Sequence, residues 1–390
     1  MRMTIVMVGQ KGLPARSGGI ERHVERLARG LASRGHRVVV FGRAWYVGGG
    51  RAPQGVEQIV TRGIRTKHLD AITHGVMALL RARTLKPSIV HLHGTGIALL
   101  IPFARILMPR AKVIVTFHGI DRVLAKWNVF AKTAFRFGEW LACQMSHRTI
   151  AVSENLARYC LDTYGTQTSY VSHPIPEPET VSDNGVLRAH GLQKDRYFLF
   201  VGRLISDKQV HVLIEAYNRA RKIRPDLMEE RLLVLVGGAS WTDRYVSWLC
   251  SLAARSPGVV MLGEKSGCEL NALQAQALAH VFPTASEGLS QAVVEACQYR
   301  RAIIASDIPG HREATGGHMR AVPLRDVDAL ADALIELAEQ STMQRLEMGS
   351  RAHAYVARVH HVEDRLDDLV RVYQSALNGH MELMSQPILS

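Results

Sequence analysis

Residues 198–217 read FLFVGRLISDKQVHVLIEAY, and the order of events in that stretch decides the architecture. An apolar run with no polar alternation ends at Gly202, Arg203 follows at once, and Lys208 stands where a helical pattern begins. A strand that is apolar on both faces belongs inside a parallel sheet covered by helices. Two cations flanking a strand-to-helix turn can clamp a diphosphate, the arginine by its planar fork and the lysine as a point charge. The same punctuation recurs on both sides of the stretch. TIVMVG (4–9), RVVVFG (37–42), SIVHLH (88–93), KVIVTF (112–117), RTIAV (148–152) and SYVS (169–172) precede it. RLLVLVGG (231–238), GVVML (258–262), AHVFP (279–283) and RAIIAS (301–306) follow it. Short apolar runs alternating with helical patterns predict an α/β protein with two doubly wound, Rossmann-like domains.

A chain of 390 residues suits two such domains. The segment SHPIPEPETVSDNG (172–185), with Pro174, Pro176 and Pro178, is the best boundary, because proline enters neither a helix interior nor a central ladder. The expected division is 1–175, rejoined by a C-terminal helix from 360–390, then a linker at 174–185 and a second domain at 186–359. The apolar run GIALLIPFA (96–104) is under half of a membrane span, and the N-terminal apolar stretch reads as a first strand, not as a signal peptide. Five scattered cysteines with no C-x-x-C spacing fit a reducing compartment. The net charge is +13, carried unevenly: residues 1–176 hold 25 Lys and Arg against 8 Asp and Glu, while the remainder is slightly acidic. Attraction of the first half to an anionic partner is the expectation. No known nucleic-acid motif accompanies the charge, so nucleic acid is not expected as that partner.

Ligands of open parallel sheets bind at the carboxyl ends of strands, and three further segments sit there. GQKGLPARSGGIE (9–21) contains neither G-x-G-x-x-G nor G-x-x-x-x-G-K-[ST], which disfavours dinucleotide enzymes and P-loop nucleotidases. What remains is the pair Gly18 and Gly19 at a helix start, with Lys11 and Arg16 nearby, able to offer amides and the positive helix end to an anion. His118 ends the strand in TFHGID, and His91 and His93 share one face of the strand before it. No third ligand is readable beside them, so no metal site is expected. FPTASEGLSQAVVEACQYRRAIIASDIPGHRE (282–313) places Glu287 in a loop and Glu295 on the second turn of a helix starting near Ser290. The amides of Gly288, Leu289 and Ser290 precede that helix, and each carboxylate suits a vicinal diol.

These segments, in this order, resemble the retaining nucleotide-sugar glycosyltransferases of family 4, whose two domains form the GT-B fold about a central cleft. GLPARSGGIERHVERLARGLASRGHRVVV (12–40) looks like the family's first loop and helix, VGRLISDKQVHVLIEAY (201–217) like its G-R-L…K-G segment, and SEGLSQAVVEACQYRRAIIASDIPGHRE (286–313) like its E-x7-E motif. The resemblance implies that Arg203 and Lys208 hold the donor diphosphate, Glu287 the donor-sugar hydroxyls and Glu295 the ribose. It also implies that Gly18 and Gly19 approach the phosphate and that His118 lies near the reacting sugar. It implies a UDP-, GDP- or dTDP-sugar donor, no cofactor and no metal. The chain departs from the family at Gln209 and at Tyr299-Arg300-Arg301, where glycine or a small residue is usual.

The family's first domain carries the acceptor site, and many relatives act on lipid-linked sugars. RVLAKWNVFAKTAFRFGEWLACQMSHR (122–148) mixes Arg122, Lys126, Lys132, Arg136 and Arg148 with Trp127, Phe130, Phe135, Phe137 and Trp140, a composition suited to a helix on anionic lipid or to a core helix with a solvated basic face. The expected function is sugar transfer to a lipid-linked or oligosaccharide acceptor in surface polysaccharide or glycolipid synthesis, in the cytoplasm or on the inner membrane face. Two alternatives stand beside it. One is a non-catalytic sugar-nucleotide-binding protein of the same fold. The other is a glycoside hydrolase using Glu287 and Glu295, although two helical turns, about 11 Å, exceed the spacing such pairs use.

Overall fold

The computed structural model describes residues 2–16, 18–48, 50–66, 69–123, 127–178, 185–239 and 242–379. The chain divides into two units, Met1–Ile175 with the segment from His360 onward, and Pro176–Val359. Of the segment expected to link them, 179–184 lie outside the described residues, as do 380–390 of the tail.

The first unit is a seven-stranded sheet of β1 (Thr4–Val8), β2 (Arg37–Arg43), β3 (Val56–Thr61), β4 (Ile89–His93), β5 (Lys112–Phe117), β6 (Arg148–Ala151) and β7 (Ser169–Tyr170). Its order is β3-β2-β1-β4-β5-β6-β7, with every pairing parallel. β1, β4 and β5 are buried almost throughout, which is why their sequences lack polar alternation. β3 escapes the sequence reading for the converse reason: at the sheet edge its VEQIVT keeps Glu57 and Val60 exposed and carries no continuous apolar run. The helix Gly19–Ser33 lays Val24, Leu27, Ala28 and Leu31 on the sheet. The helix Val362–Asn378 returns to the same core, with Leu366, Leu369, Val372, Tyr373 and Ala376 spaced three and four apart on one buried face.

The second unit is a six-stranded parallel sheet of β8 (Tyr197–Val201), β9 (Leu232–Val236), β10 (Val259–Gly263), β11 (Ala279–Phe282), β12 (Ala302–Ser306) and β13 (Arg320–Val322). The order is β10-β9-β8-β11-β12-β13. β13, three residues long at the edge, is the other strand without a sequence signal. Helices Val210–Ile223 and Val327–Glu339 supply one core layer against β8, β9, β11 and β12. Each sheet reverses its strand order once, between β1 and β4 and between β8 and β11. A crevice opens at the carboxyl ends of such neighbouring strands.

Candidate functional site

At the reversal point of the second sheet, the loop after β8 carries Arg203 and Lys208, and the loop after β11 carries Glu287. A backbone bond from Ala285 N–H to the carbonyl of Asp207, 2.8 Å, ties the two loops together. Lys208 Nζ donates to Glu287 Oε1 in an ion pair that leaves the lysine side chain 13% exposed and the glutamate 24%. Burial alone would raise the Glu287 carboxyl. Lys208, by charge and hydrogen bond, outweighs burial and, with the exposed Arg203 adding a smaller share, holds it below the usual carboxylate range. Glu287 is therefore ionised and acceptor-only, the state a carboxylate needs to receive sugar hydroxyl protons.

His311 is the member that the sequence reading missed. It sits on the short helix Pro309–Thr315 after β12, fully buried, with Nδ1 2.9 Å from the carbonyl of Ser306. Its Nε2 is buried without a hydrogen-bond partner among the described residues, and burial brings its pKa to about 4. A neutral imidazole with an unspent nitrogen beside Glu287 and Lys208 can bond a ligand hydroxyl or phosphate oxygen. Its only sequence signal was position, since it follows a strand within the stretch already quoted.

The close approach of that helix has a backbone cause. A Cβ built on Gly310 would stand 2.6 Å from the Glu287 carbonyl oxygen, a backbone atom that cannot rotate away. Gly310→Ala should push the Glu287 loop aside and lower kcat/KM by roughly tenfold or more, about 1.4 kcal/mol of transition-state stabilisation. Circular dichroism should show the fold intact; unchanged kinetics would dissociate the loop's position from the chemistry.

Two departures from the family pattern turn out to preserve backbone geometry. Gln209 adopts φ 53°, ψ 33°, the left-handed conformation a glycine would take, and its side chain donates to Ser206 O at 3.0 Å. Arg300 likewise takes φ 55°. Left-handed L-residues cost about 1–2 kcal/mol each, so the turn is kept by local bonding against an intrinsic penalty.

The helix carrying Glu295 runs Gln291–Cys297 with buried Ser290 at its N-cap. Leu289 is buried, whereas Gly288 and Glu295 are half-buried.

In the first unit, Gly18 caps the Gly19–Ser33 helix with φ 99°, and a Cβ there would lie 2.1 Å from Glu21 Oε2. Glycine is thus already required by the backbone conformation of the loop, whatever the ligand. Several donors expected for an anion are occupied: Lys11 N bonds Glu21 Oε1, Ala15 N bonds Glu25 Oε2, and Arg16 N bonds the Tyr46 hydroxyl. The Arg16 guanidinium bonds Val47 O. His118, after β5, is half-buried, and burial lowers its pKa to about 3. Its Nε2 lies 3.3 Å from His93 Nδ1. The pairing of His91 with His93 as metal ligands fails, because His91 spends both nitrogens on Tyr373 and Thr116, at 2.7 Å each.

The helix Val129–Met145 divides the composition of 122–148 between two roles. Gly138, Glu139, Leu141, Ala142 and Cys143 face inward, and Glu139 Oε2 accepts from Tyr159, Tyr164 and Arg122. Arg122 and Arg148 are thereby structural, Arg148 bonding Ser375 Oγ, while Trp127 packs on Phe135. Val129, Phe130, Lys132, Arg136, Phe137 and Trp140 are exposed, Phe130 by 86%. Lys126 lies outside the described residues.

Two parallel-sheet units with polar side chains gathered at strand carboxyl ends define the GT-B class, and similarity to known proteins agrees. Residues 17–175 match the family described as Glycosyltransferase Family 4, and residues 195–340 match Glycosyl transferases group 1. The chain is similar to glycogen synthase of Mycobacterium tuberculosis (strain CDC 1551 / Oshkosh), 26% identical with 85% of each chain covered. It is similar to D-inositol 3-phosphate glycosyltransferase of Stackebrandtia nassauensis, 26% identical over 93% of this chain and 87% of the relative. Its fold matches HepE of Anabaena in complex with UDP and glucose, with TM-score 0.77 at 18% identity, over 96% of this chain and 100% of that one. The protein belongs to the family 4/group 1 glycosyltransferases of GT-B type. Glycoside hydrolysis is set aside with that membership.

Proposed function

We propose that this glycosyltransferase moves a hexose from a nucleoside-diphosphate sugar to a saccharide acceptor with retention of anomeric configuration and without a metal. One observation carries the reading: the Lys208–Glu287 pair, with Arg203 and His311 beside it, at the reversal point of the second sheet. Lys208 and Arg203 receive the diphosphate and neutralise the charge that develops as the C1–O bond breaks. Glu287 accepts bonds from the donor sugar, and Glu295 holds the ribose diol. Gly288, Leu289 and Ser290 supply amides to the donor, Gly18 and Gly19 border its phosphates, and His118 contacts the reacting sugar. The acceptor oxygen bonds C1 on the face the diphosphate leaves, and its proton passes to a leaving phosphate oxygen. The relative of known structure binds UDP and glucose, which favours a UDP-sugar over GDP- or dTDP-sugars.

The test is a melting-point screen with UDP-, GDP- and dTDP-sugars. A ligand that binds the native state alone raises Tm, with about 2.7 kcal/mol of stabilisation at a hundredfold excess over Kd. One sugar nucleotide should shift Tm and release free nucleoside diphosphate on adding acceptor. Binding without release would make the protein a sugar-nucleotide sensor, and no shift with any of them would remove the donor site.

The acceptor is proposed to be lipid-linked, in surface polysaccharide or glycolipid synthesis at the inner membrane face. No helix among the described residues is long and apolar enough to cross a membrane. The exposed Phe130, Phe137 and Trp140 with Lys132 and Arg136, on the strongly basic half of the chain, suit a helix lying on anionic lipid. The protein should float with anionic but not zwitterionic liposomes, and Lys132→Gln with Arg136→Gln should weaken liposome affinity roughly thirtyfold, each charge contributing about 1 kcal/mol. If the wild type stays in the soluble fraction with both, the membrane reading is wrong.

A further inference from the structure

Four imidazoles of the first unit pack into one cluster although their positions span 150 residues. His23 comes from the Gly19–Ser33 helix, His93 from the end of β4, His118 from just beyond β5 and His173 from just beyond β7. Ring centroids of His23 lie 4.9 Å from His118, 5.9 Å from His93 and 4.7 Å from His173. One ring nitrogen from each of His23, His93 and His118 lies within 4.8 Å of the other two. We propose that His23, His93 and His118 form a binding site for a divalent transition metal of the zinc class, with His173 orienting His23 from behind.

The spacing supports ligation over simple hydrogen bonding. His93 Nδ1 and His118 Nε2 are 3.3 Å apart, long for an N–H···N bond. Two nitrogens on a tetrahedral zinc, each about 2.0–2.1 Å from the ion, stand about 3.3–3.4 Å from one another. Ligation through those atoms places the remaining proton of each ring on His93 Nε2 and His118 Nδ1. Both of those nitrogens are buried without a hydrogen-bond partner among the described residues. The third ligand is set by the 2.9 Å contact between His23 Nδ1 and His173 Nδ1. When His23 donates there, its Nε2 carries the lone pair and is free to bind metal, an outer partner fixing the tautomer of a ligand.

An all-imidazole donor set selects zinc, cobalt, nickel or copper over magnesium and calcium, and three ligands leave one coordination position open. The site is proposed as a metal-binding site in its own right and not as a cofactor site for transfer.

The proposal stands on this cluster and not on the transfer reading, and its test uses neither donor nor acceptor. Chelator-stripped full-length protein is dialysed against Zn(II) alone, with Mg(II) in excess, and the Co(II) form is followed by its visible spectrum. One equivalent of Zn(II) should bind, and Co(II) should give the intense bands of a four-coordinate centre. His23→Gln and His93→Gln should each weaken binding by a hundredfold or more, and His173→Gln by about ten- to a hundredfold, the range for an outer partner. Equal affinity in wild type and both ligand variants would overturn the site. So would a pale, six-coordinate Co(II) spectrum of the wild type, a reading that needs no variant to fold.

Discussion

Lys208→Ala should lower kcat/KM for sugar transfer by about 10²–10³-fold, and adding Arg203→Ala should lower it further. Removing one donor from a site that stabilises developing negative charge costs on the order of 3–4 kcal/mol. Lys208 does more than contribute charge, because it also holds Glu287 in the ionised state. Its loss leaves a half-buried carboxylate without its main partner, so a stability loss of about 1–3 kcal/mol accompanies the kinetic effect. Arg203 is exposed and is the smallest of the charges that depress Glu287, so Arg203→Ala should cut turnover at near-normal Tm. Steady-state kinetics together with thermal melts separate the two. A double variant with near-normal kcat/KM would show that the diphosphate is held elsewhere.

Glu287→Ala should act on kcat and spare nucleotide affinity. Hydrogen bonds to a charged acceptor contribute about 1.5–3 kcal/mol each, so losing two from the donor sugar lowers turnover roughly 10²–10⁴-fold. The substitution frees Lys208 for phosphate, so Kd for the free nucleoside diphosphate should hold or tighten. Calorimetry with the nucleotide and turnover assays with the sugar donor read these separately; equal losses in both would place Glu287 on the nucleotide instead. The pair also has a pH signature. Glu287 is depressed in the folded state, so its contribution to stability is present above the ordinary carboxylate range. It is lost as pH falls through the depressed folded value. Glu287→Gln should flatten that part of the acid-stability curve.

The buried strands were legible because burial on both faces writes itself into local composition, as in FLFV before Gly202 and KVIVTF before His118. β3 and β13 were not, since an edge strand needs no unbroken apolar run. Arg203, Lys208 and Glu287 could be marked because charged residues directly after buried strands face the ligand-binding edge of a parallel sheet. His311 follows a strand as well, yet a single histidine carries no sign of an unspent nitrogen. The glycine expectations at positions 209 and 300 show the opposite limit. The backbone keeps the left-handed conformation with Gln and Arg in place, at Gln209 through a local side-chain bond that residue type does not reveal.

By itself, then, the order of residues determined two doubly wound halves, an uneven positive charge and a set of cations and carboxylates at strand ends. These follow from forces acting within a few residues: burial periodicity, helix starts and proline's missing donor. Only the tertiary structure decided which of those groups meet. Lys208 reaches Glu287 because β8 and β11 are neighbours across the reversal of the sheet, and four histidines converge because their strands end, and the His23 helix begins, at one edge. Strand order is chosen by long-range packing and crossover handedness, which local periodicity does not encode.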